Sequence, residues 1–186
     1  MLRHRVTTVG LLTAIFVFSL ELPAQQVVLA LRKGESLQQF GARVVPKDGK
    51  ILHAVVRGDF GPTNGNVVIL FGSDGKRGFA GWVLVPEGPE YRKLILPDRE
   101  FPASTEIRAI FFAQAGHEGR ALFVLCKHIS GVGRYPGNIT PFYTTYVYGS
   151  DGNRITELVD VEDQLDPVGS LSTAHQVLQR LRELGS

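Results

Sequence analysis

The sequence predicts a mainly β protein: two four-stranded antiparallel units forming a sandwich, a bent sheet or a small barrel, with one C-terminal amphipathic helix. Three observations carry this expectation. The middle of the chain is a succession of short runs rich in branched and aromatic residues, ILHAVVR, NVVILF, GWVLV, YRKLIL, EIRAIFF, RALFVLC, FYTTYVY and RITELVD, each bounded by Gly, Pro, Asp or Asn. Two of its stretches align with two later ones, which groups the runs into units at residues 51–96 and 106–160. Near the end the apolar spacing becomes helical.

Residues 1–24 read as a signal peptide. Arg3, His4 and Arg5 make a basic head, Val9 to Leu20 an apolar run, and Leu22-Pro23-Ala24 a cleavage site. The run stops at Glu21, short of the roughly twenty residues a membrane-crossing helix needs, so no stable membrane span is expected. A mature chain starting near Gln25 would be periplasmic or secreted. Removing Arg3, Arg5 and Glu21 with the leader turns 20 basic and 18 acidic residues into 18 and 17. That near-neutral balance, with signs interspersed, lacks the basic footprint of a nucleic-acid binder. Residues 25–50 form a lead-in segment with one short helix or strand, and 51–186 a single β-rich domain.

Within that domain, AVVRGDFGPTNGNVVILF from Ala54 aligns with AIFFAQAGHEGRALFVL from Ala109, with one gap in the turn. WVLVPEGPEYRKL from Trp82 aligns with YVYGSDGNRITEL from Tyr146, matching Gly88 to Gly152 and Leu94 to Leu158. The tetrad GSDG occurs twice, at 72–75 and 149–152, but at non-corresponding places in this alignment. Asp-Gly between apolar runs is a hairpin signal, and each tetrad has a single carboxylate where a calcium cage takes six to eight oxygens. Both therefore read as turns. In the tail, Ala174, Val177, Leu178, Leu181 and Leu184 fall on one helical face, Thr173 and Gln176 have capping-box spacing, and Gly185 stands at the stop. The expected helix covers 173–184.

The pair AVVRGDFGPTNGNVVILF and AIFFAQAGHEGRALFVL resembles the strand-loop-strand of FG-GAP and VCBS-type repeats, the blades of integrin-like propellers. That family's loop reads close to D-x-D-x-D-G and can hold calcium. Here the first copy keeps Gly58, Asp59, Phe60 and Gly65 with Asn64 and Asn66, and the second has Gln114 where Asp59 aligns, with Gly116, Glu118 and Gly119. With one carboxylate per loop, calcium binding does not carry over: millimolar calcium is expected to leave the melting temperature unchanged, and a rise of several degrees would overturn that. Two units also fall short of the four or more blades of a propeller. The tail TAHQVLQRLRELG is similar to the ending of small exported bacterial proteins of unassigned activity.

The offset between the units grows from 54 residues at Leu70 and Val124 to 64 at Trp82 and Tyr146, so the second has gained ten. They fall in KHISGVGRYPGNITP, a long connection on a rigid scaffold, the place where binding residues collect. The candidate binding residues are His128, Arg134, Tyr135, Asn138 and Tyr143; Tyr and Arg are common hot-spot types. In PFYTTYVYG, Phe142, Thr144, Tyr146 and Tyr148 share one strand face and Tyr143, Thr145 and Val147 the other. A solvent-facing tyrosine row would make a binding platform, whereas cover by the C-terminal helix would make it core. Cys126, the only cysteine, ends an apolar run and reads as a buried thiol. Arg57-Gly58-Asp59 spells RGD, a spelling the unit alignment already accounts for.

The sequence therefore points to a non-enzymatic binding domain recognising a protein or an envelope glycan, with inhibitor-like action as one form. No catalytic residue, cofactor or metal ligand set is assigned. The alternative is a small envelope hydrolase using a non-sequential site built from His128, Asp59 or Glu118.

Overall fold

The computed structural model describes residues 28–61, 63–73, 79–97, 99, 105–129, 141–166 and 169–185. Residues 1–24, read above as a signal peptide, lie outside them. The first sheet contains β1 (Val28–Ala30), β2 (Val56–Phe60), β3 (Thr63–Ser73), β4 (Phe79–Glu87) and β5 (Glu90–Ile95), in the spatial order β1-β5-β4-β3-β2. The second contains β6 (Thr105–Gln114), β7 (Arg120–His128), β8 (Phe142–Ser150) and β9 (Ile155–Glu157), in sequence order. Helix α1 (Leu37–Val44) lies between β1 and β2, and α2 (Val159–Leu165) and α3 (Ala174–Glu183) follow β9. Every strand pairing is antiparallel.

Of the three closures left open by the sequence, the chain adopts the sandwich, because one core draws on both sheets. Val67, Ile69, Phe71, Val83 and Val85 from the first sheet meet Leu122, Val124, Cys126, Tyr146 and Tyr148 from the second. The alternate residues of the same strands are buried as well. Val68, Leu70, Trp82 and Leu84 pack under Phe40 and Val44 of α1. On the other side, Ala121, Phe123 and Val147 pack under Leu165 of α2 and Val177 and Leu181 of α3. The molecule thus has four layers, helix, sheet, sheet, helices. A strand buried on both faces has no polar side to show, which is why VVILF and ALFVLC are unbroken apolar runs.

The helices are held at their ends by the groups their sequences supply. Ser36 and Gln39 close a capping box at α1, and Pro46 follows one residue after its C-cap, Val45. Arg43 clamps Glu35 with Nη2 to Oε2 at 2.8 Å and also donates to the Ala30 carbonyl, tying α1 to β1. That guanidinium and the Arg32 N–H hold the Glu35 carboxyl down at about 2. At α3 the Thr173 and Gln176 box forms, with Gln176 Oε1 accepting from the Thr173 N–H at 3.1 Å, and Gly185 takes φ +85° at the stop.

Three local expectations are corrected. The lead-in segment contains both a strand and a helix, and β1 makes the first sheet five-stranded rather than four. ILHAVVR is not a strand: Ile51 forms an isolated bridge to Gly72, the chain bends, and β2 starts only at Val56, because Ile51 and Val55 turn their side chains to α1. RITELVD divides between β9 and α2. The Leu158 N–H still bonds Val147, but its carbonyl accepts from the Val161 and Glu162 N–H groups and so opens a helix.

The turns behave as their residues require. Gly88 and Gly152, at the tips of the β4–β5 and β8–β9 hairpins, have φ of +64° and +93°. In the second GSDG tetrad, Asp151 Oδ1 accepts from the N–H groups of Asn153 and Arg154 at 2.8 and 2.9 Å. Those bonds hold its carboxyl below the usual range. The Asp-Gly of the first tetrad lies outside the described residues. RGD sits within edge strand β2, where Arg57 and Asp59 are exposed and Gly58 is pressed against β6. A Cβ at Gly58 would come 2.3 Å from the Phe112 ring. Gly58→Val is therefore expected to cost about 1–3 kcal/mol through overpacking, read as a lower midpoint in a denaturant titration.

Candidate functional site

The long connection of the second unit leaves β7 after His128 and returns at Phe142. Arg134, Tyr135 and Asn138 lie in the part of it outside the described residues. The other two candidates flank its base. His128 is 1% exposed, stacks on Phe142 with ring centroids 4.7 Å apart, and meets the edge of Tyr146. Its Nδ1 is 2.8 Å from the Thr105 hydroxyl, while its Nε2 has no hydrogen-bond partner. His128 thus supports the base of the connection instead of reaching out from it.

Burial pushes the His128 pKa below 6.5. The folded state then takes up this proton at lower pH than the unfolded chain does. Its contribution to stability is complete above about pH 6.5 and is lost as the pH falls from there toward the folded pKa. Thermal melts between pH 7 and 5 should show the loss, and it should be smaller in His128→Gln.

Tyr143 is half-buried and stands at a cleft of about 300 Å³ between β8 and α2, lined also by Thr145, Glu162, Asp163, Asp166 and Gly169. The cleft exists because β8 outruns its neighbour. β9 pairs with Tyr148, Gly149 and Ser150, leaving the start of β8 without a strand on that side. Two points of this edge are otherwise satisfied. The Tyr143 N–H donates to the Gly169 carbonyl at 3.3 Å, and the Val147 N–H to Glu162 Oε1 at 2.7 Å, while the Val147 carbonyl accepts from Leu158. Backbone groups of a strand face one neighbour and then the other. Thr145, between these two residues, therefore turns its N–H and C=O to the same side, where β9 does not reach. Its side chain shares the face of Val147, toward α2, and its hydroxyl, in a residue 4% exposed, has no hydrogen-bond partner.

The carboxylates of the cleft differ in what they already do. Glu162 is the anchor: its two oxygens bond Arg99 Nη1 and Nη2 at 3.1 and 2.8 Å. Arg99 also pairs with Glu157 at 2.8 Å, and its guanidinium lies 4.9 Å from the centre of the Tyr146 ring. Burial raises the Glu162 pKa against the lowering effect of the Val147 N–H and of Arg99. Asp166 accepts from the Ser170 and Leu171 N–H groups and shapes the turn after α2. Asp163 is exposed and has no such bond, and Lys127, across from Tyr143 on β7, makes no ion pair with any of the three.

The other sequence candidates are dispersed. Tyr146 and Tyr148 point between the sheets and the opposite face of β8 lies under α2 and α3, so β8 offers no tyrosine platform. Cys126 is fully buried, and burial lifts its thiol to about 12. His117 and Glu118 pair with each other at 2.9 Å on the turn before β7, and Arg120 at that end donates to the Asp59 carbonyl. His128 ends the same nine-residue strand, about 26 Å away at 3.3 Å per residue. The hydrolase constellation of His128, Asp59 and Glu118 is therefore split between the two ends of β7. Among the described residues, no three His, Cys, Asp or Glu side chains are grouped to hold a metal ion.

Sequence reasoning missed Thr145, Glu162, Asp163 and Asp166. The acidic stretch LVDVEDQLD was the only signal of the three carboxylates, and it has the look of any solvated helix, while Thr145 was assigned a strand face and no role. Comparisons with protein-family models, with curated proteins and with solved structures find no match to this chain.

Proposed function

We propose that this is an exported, non-enzymatic binding domain that recognises a protein or glycan of the cell envelope at the base of its long β7–β8 connection. The observation that carries the reading is the cleft beside that connection. It is a concave site on rigid elements, with Tyr143 at its wall and the 40%-exposed Phe142 at its rim. The layout of residues 1–24 supports export, and no helix among the described residues is long and apolar enough to cross a membrane. FG-GAP-like ancestry of the two units is part of the same proposal. What supports it is the alignment of the segments from Ala54 and Ala109, which fall on the corresponding hairpins β2–β3 and β6–β7.

The test is a pull-down from envelope extract of the source organism with the chain from Gln25 onward, read by mass spectrometry. Arg134→Ala with Tyr135→Ala is expected to remove a specific partner at an unchanged melting temperature. Retention of the partner by that double variant would discard the connection as the binding surface.

A further inference from the structure

We infer that the free edge of β6 is a self-association surface, along which a second copy of this chain adds its own β6 antiparallel, across a two-fold axis at Phe111.

The hydrogen bonding of the hairpin shows which groups this edge offers. The Ala115 N–H donates to the Gly119 carbonyl inside the β6–β7 turn, so Ala113, Phe111 and Ala109, alternating back from it, also face β7. Ile110, Phe112 and Gln114 therefore turn their N–H and C=O groups the other way, to the side where the sheet ends. The strand is within reach of solvent there: Ile110 and Phe112 are half-buried and Gln114 is exposed.

Edge strands are ordinarily blunted by shortness, charge, a bulge or a cover. Among the described residues the other edges have such devices. β1 and β9 are three residues long. β2 presents the exposed Arg57 and Asp59, and its Asp59 carbonyl is taken by Arg120. β6 has its bulge and its charges, Glu106 and Arg108, only at its start. From Ala109 to Ala113 it reads AIFFA, without charge or proline, and every one of these residues is half-buried.

The two faces of the strand select the occupant. Ile110 and Phe112 pack against the core between the sheets, and Phe111 and Ala113 against the core beneath α2 and α3. A strand added beside them has to be apolar on both faces, as β6 itself is. Pairing about Phe111 sets Ile110 opposite Phe112 and Ala109 opposite Ala113 of the second copy, apolar against apolar. It also sets Arg108 opposite the neutral Gln114, and Glu106 beside His117, whose ring can donate to it. An axis at Phe112 would instead oppose Ile110 to Gln114 and Glu106 to Glu118, a like-charge pair. An axis between two residues would oppose an edge-facing residue to one that faces β7. The two-fold pairing is closed, so association stops at the dimer. Thr105, paired with His128 at the start of β6, then stands about 40 Å from its counterpart at roughly 3.3 Å per residue, so the two connection bases lie at opposite ends of the joined sheet.

The experiment is sedimentation velocity of the chain from Gln25 over a range of micromolar concentrations, with Ala109→Lys and with a double variant, Ala109→Cys and Ala113→Cys. The wild-type chain is expected to sediment as a dimer that dissociates on dilution. Ala109 belongs to none of the packed cores, so Ala109→Lys should keep the wild-type circular dichroism spectrum while weakening the dimer by about tenfold or more. In the double variant, positions 109 and 113 of opposite copies form a non-hydrogen-bonded pair with Cα atoms about 4.5 Å apart, within disulfide reach. Mild oxidation should therefore give a covalent dimer, since within one copy the same positions are about 13 Å apart along the strand. A monomer at every concentration, a dimer that Ala109→Lys leaves intact, or no covalent dimer from the cysteine pair overturns the inference.

Discussion

Phe123→Ala is expected to cost about 3–5 kcal/mol, the range for truncating a buried aromatic, and to lower the melting temperature by roughly 10 °C in a domain of this size. Phe123 is completely buried on the outer face of the second sheet, stacked on Phe111 at 5.3 Å beneath α2 and α3. Leu122, its neighbour, is equally buried but points between the sheets. A two-layer sandwich with a wet outer face would lose much from Leu122→Ala and almost nothing from Phe123→Ala, since exposed substitutions stay within about 0.5 kcal/mol. Substantial losses at both positions, measured by urea unfolding, are the signature of four layers. A near-neutral Phe123→Ala would mean that the helices do not cover this sheet.

The second large effect is expected at Glu162. Glu162→Ala removes three bonds at once: both contacts to Arg99 and the acceptor of the Val147 N–H. Breaking a buried pair costs about 3–5 kcal/mol when the survivor is stranded. Arg99 and Glu162 are only partly buried and Arg99 keeps Glu157, so a loss below that range, about 2 kcal/mol, is expected. Glu162→Gln separates the terms, because an amide oxygen still accepts from Val147 while the charge is gone; its loss should be smaller. Equal losses would mean that charge alone matters there, and no loss in either would mean that α2 is not anchored through this residue.

The difference between these residues shows what local sequence can convey. Phe123 belongs to RALFVLC, whose unbroken apolar character announces a strand buried on both sides, though not by what. The α1 cover has a sound capping box in Ser36 and Gln39, but eight residues with only Phe40, Gly41 and Val44 buried give too little period to separate helix from strand. In α2 the signal is weaker still. Its seven residues have no side-chain cap and one buried position, Leu165. Such a helix forms because the sheet is already there for Val161 and Leu165 to pack on. The β-rich pattern of RITELV thus extends past the point where the chain turns helical.

The candidate site follows the same logic. Tyr143 was reachable because an insertion can be found by aligning two halves of one chain. His128 was reachable as a residue near the insertion, but its burial was not: alternation assigns a face, and only the packed neighbours Phe142, Tyr146 and Thr105 decide whether that face meets water.

By itself the sequence determined the antiparallel strand succession, the turn at Asp151-Gly152 and the capped C-terminal helix, since each depends on residues within a few positions of one another. The tertiary structure alone decided that the tyrosines of β8 lie inside, that helices cover both outer faces, and that Thr145 meets Glu162 and Asp163 across a cleft. Those relations join residues far apart along the chain or set burial from outside the segment, and no local period or turn preference encodes them.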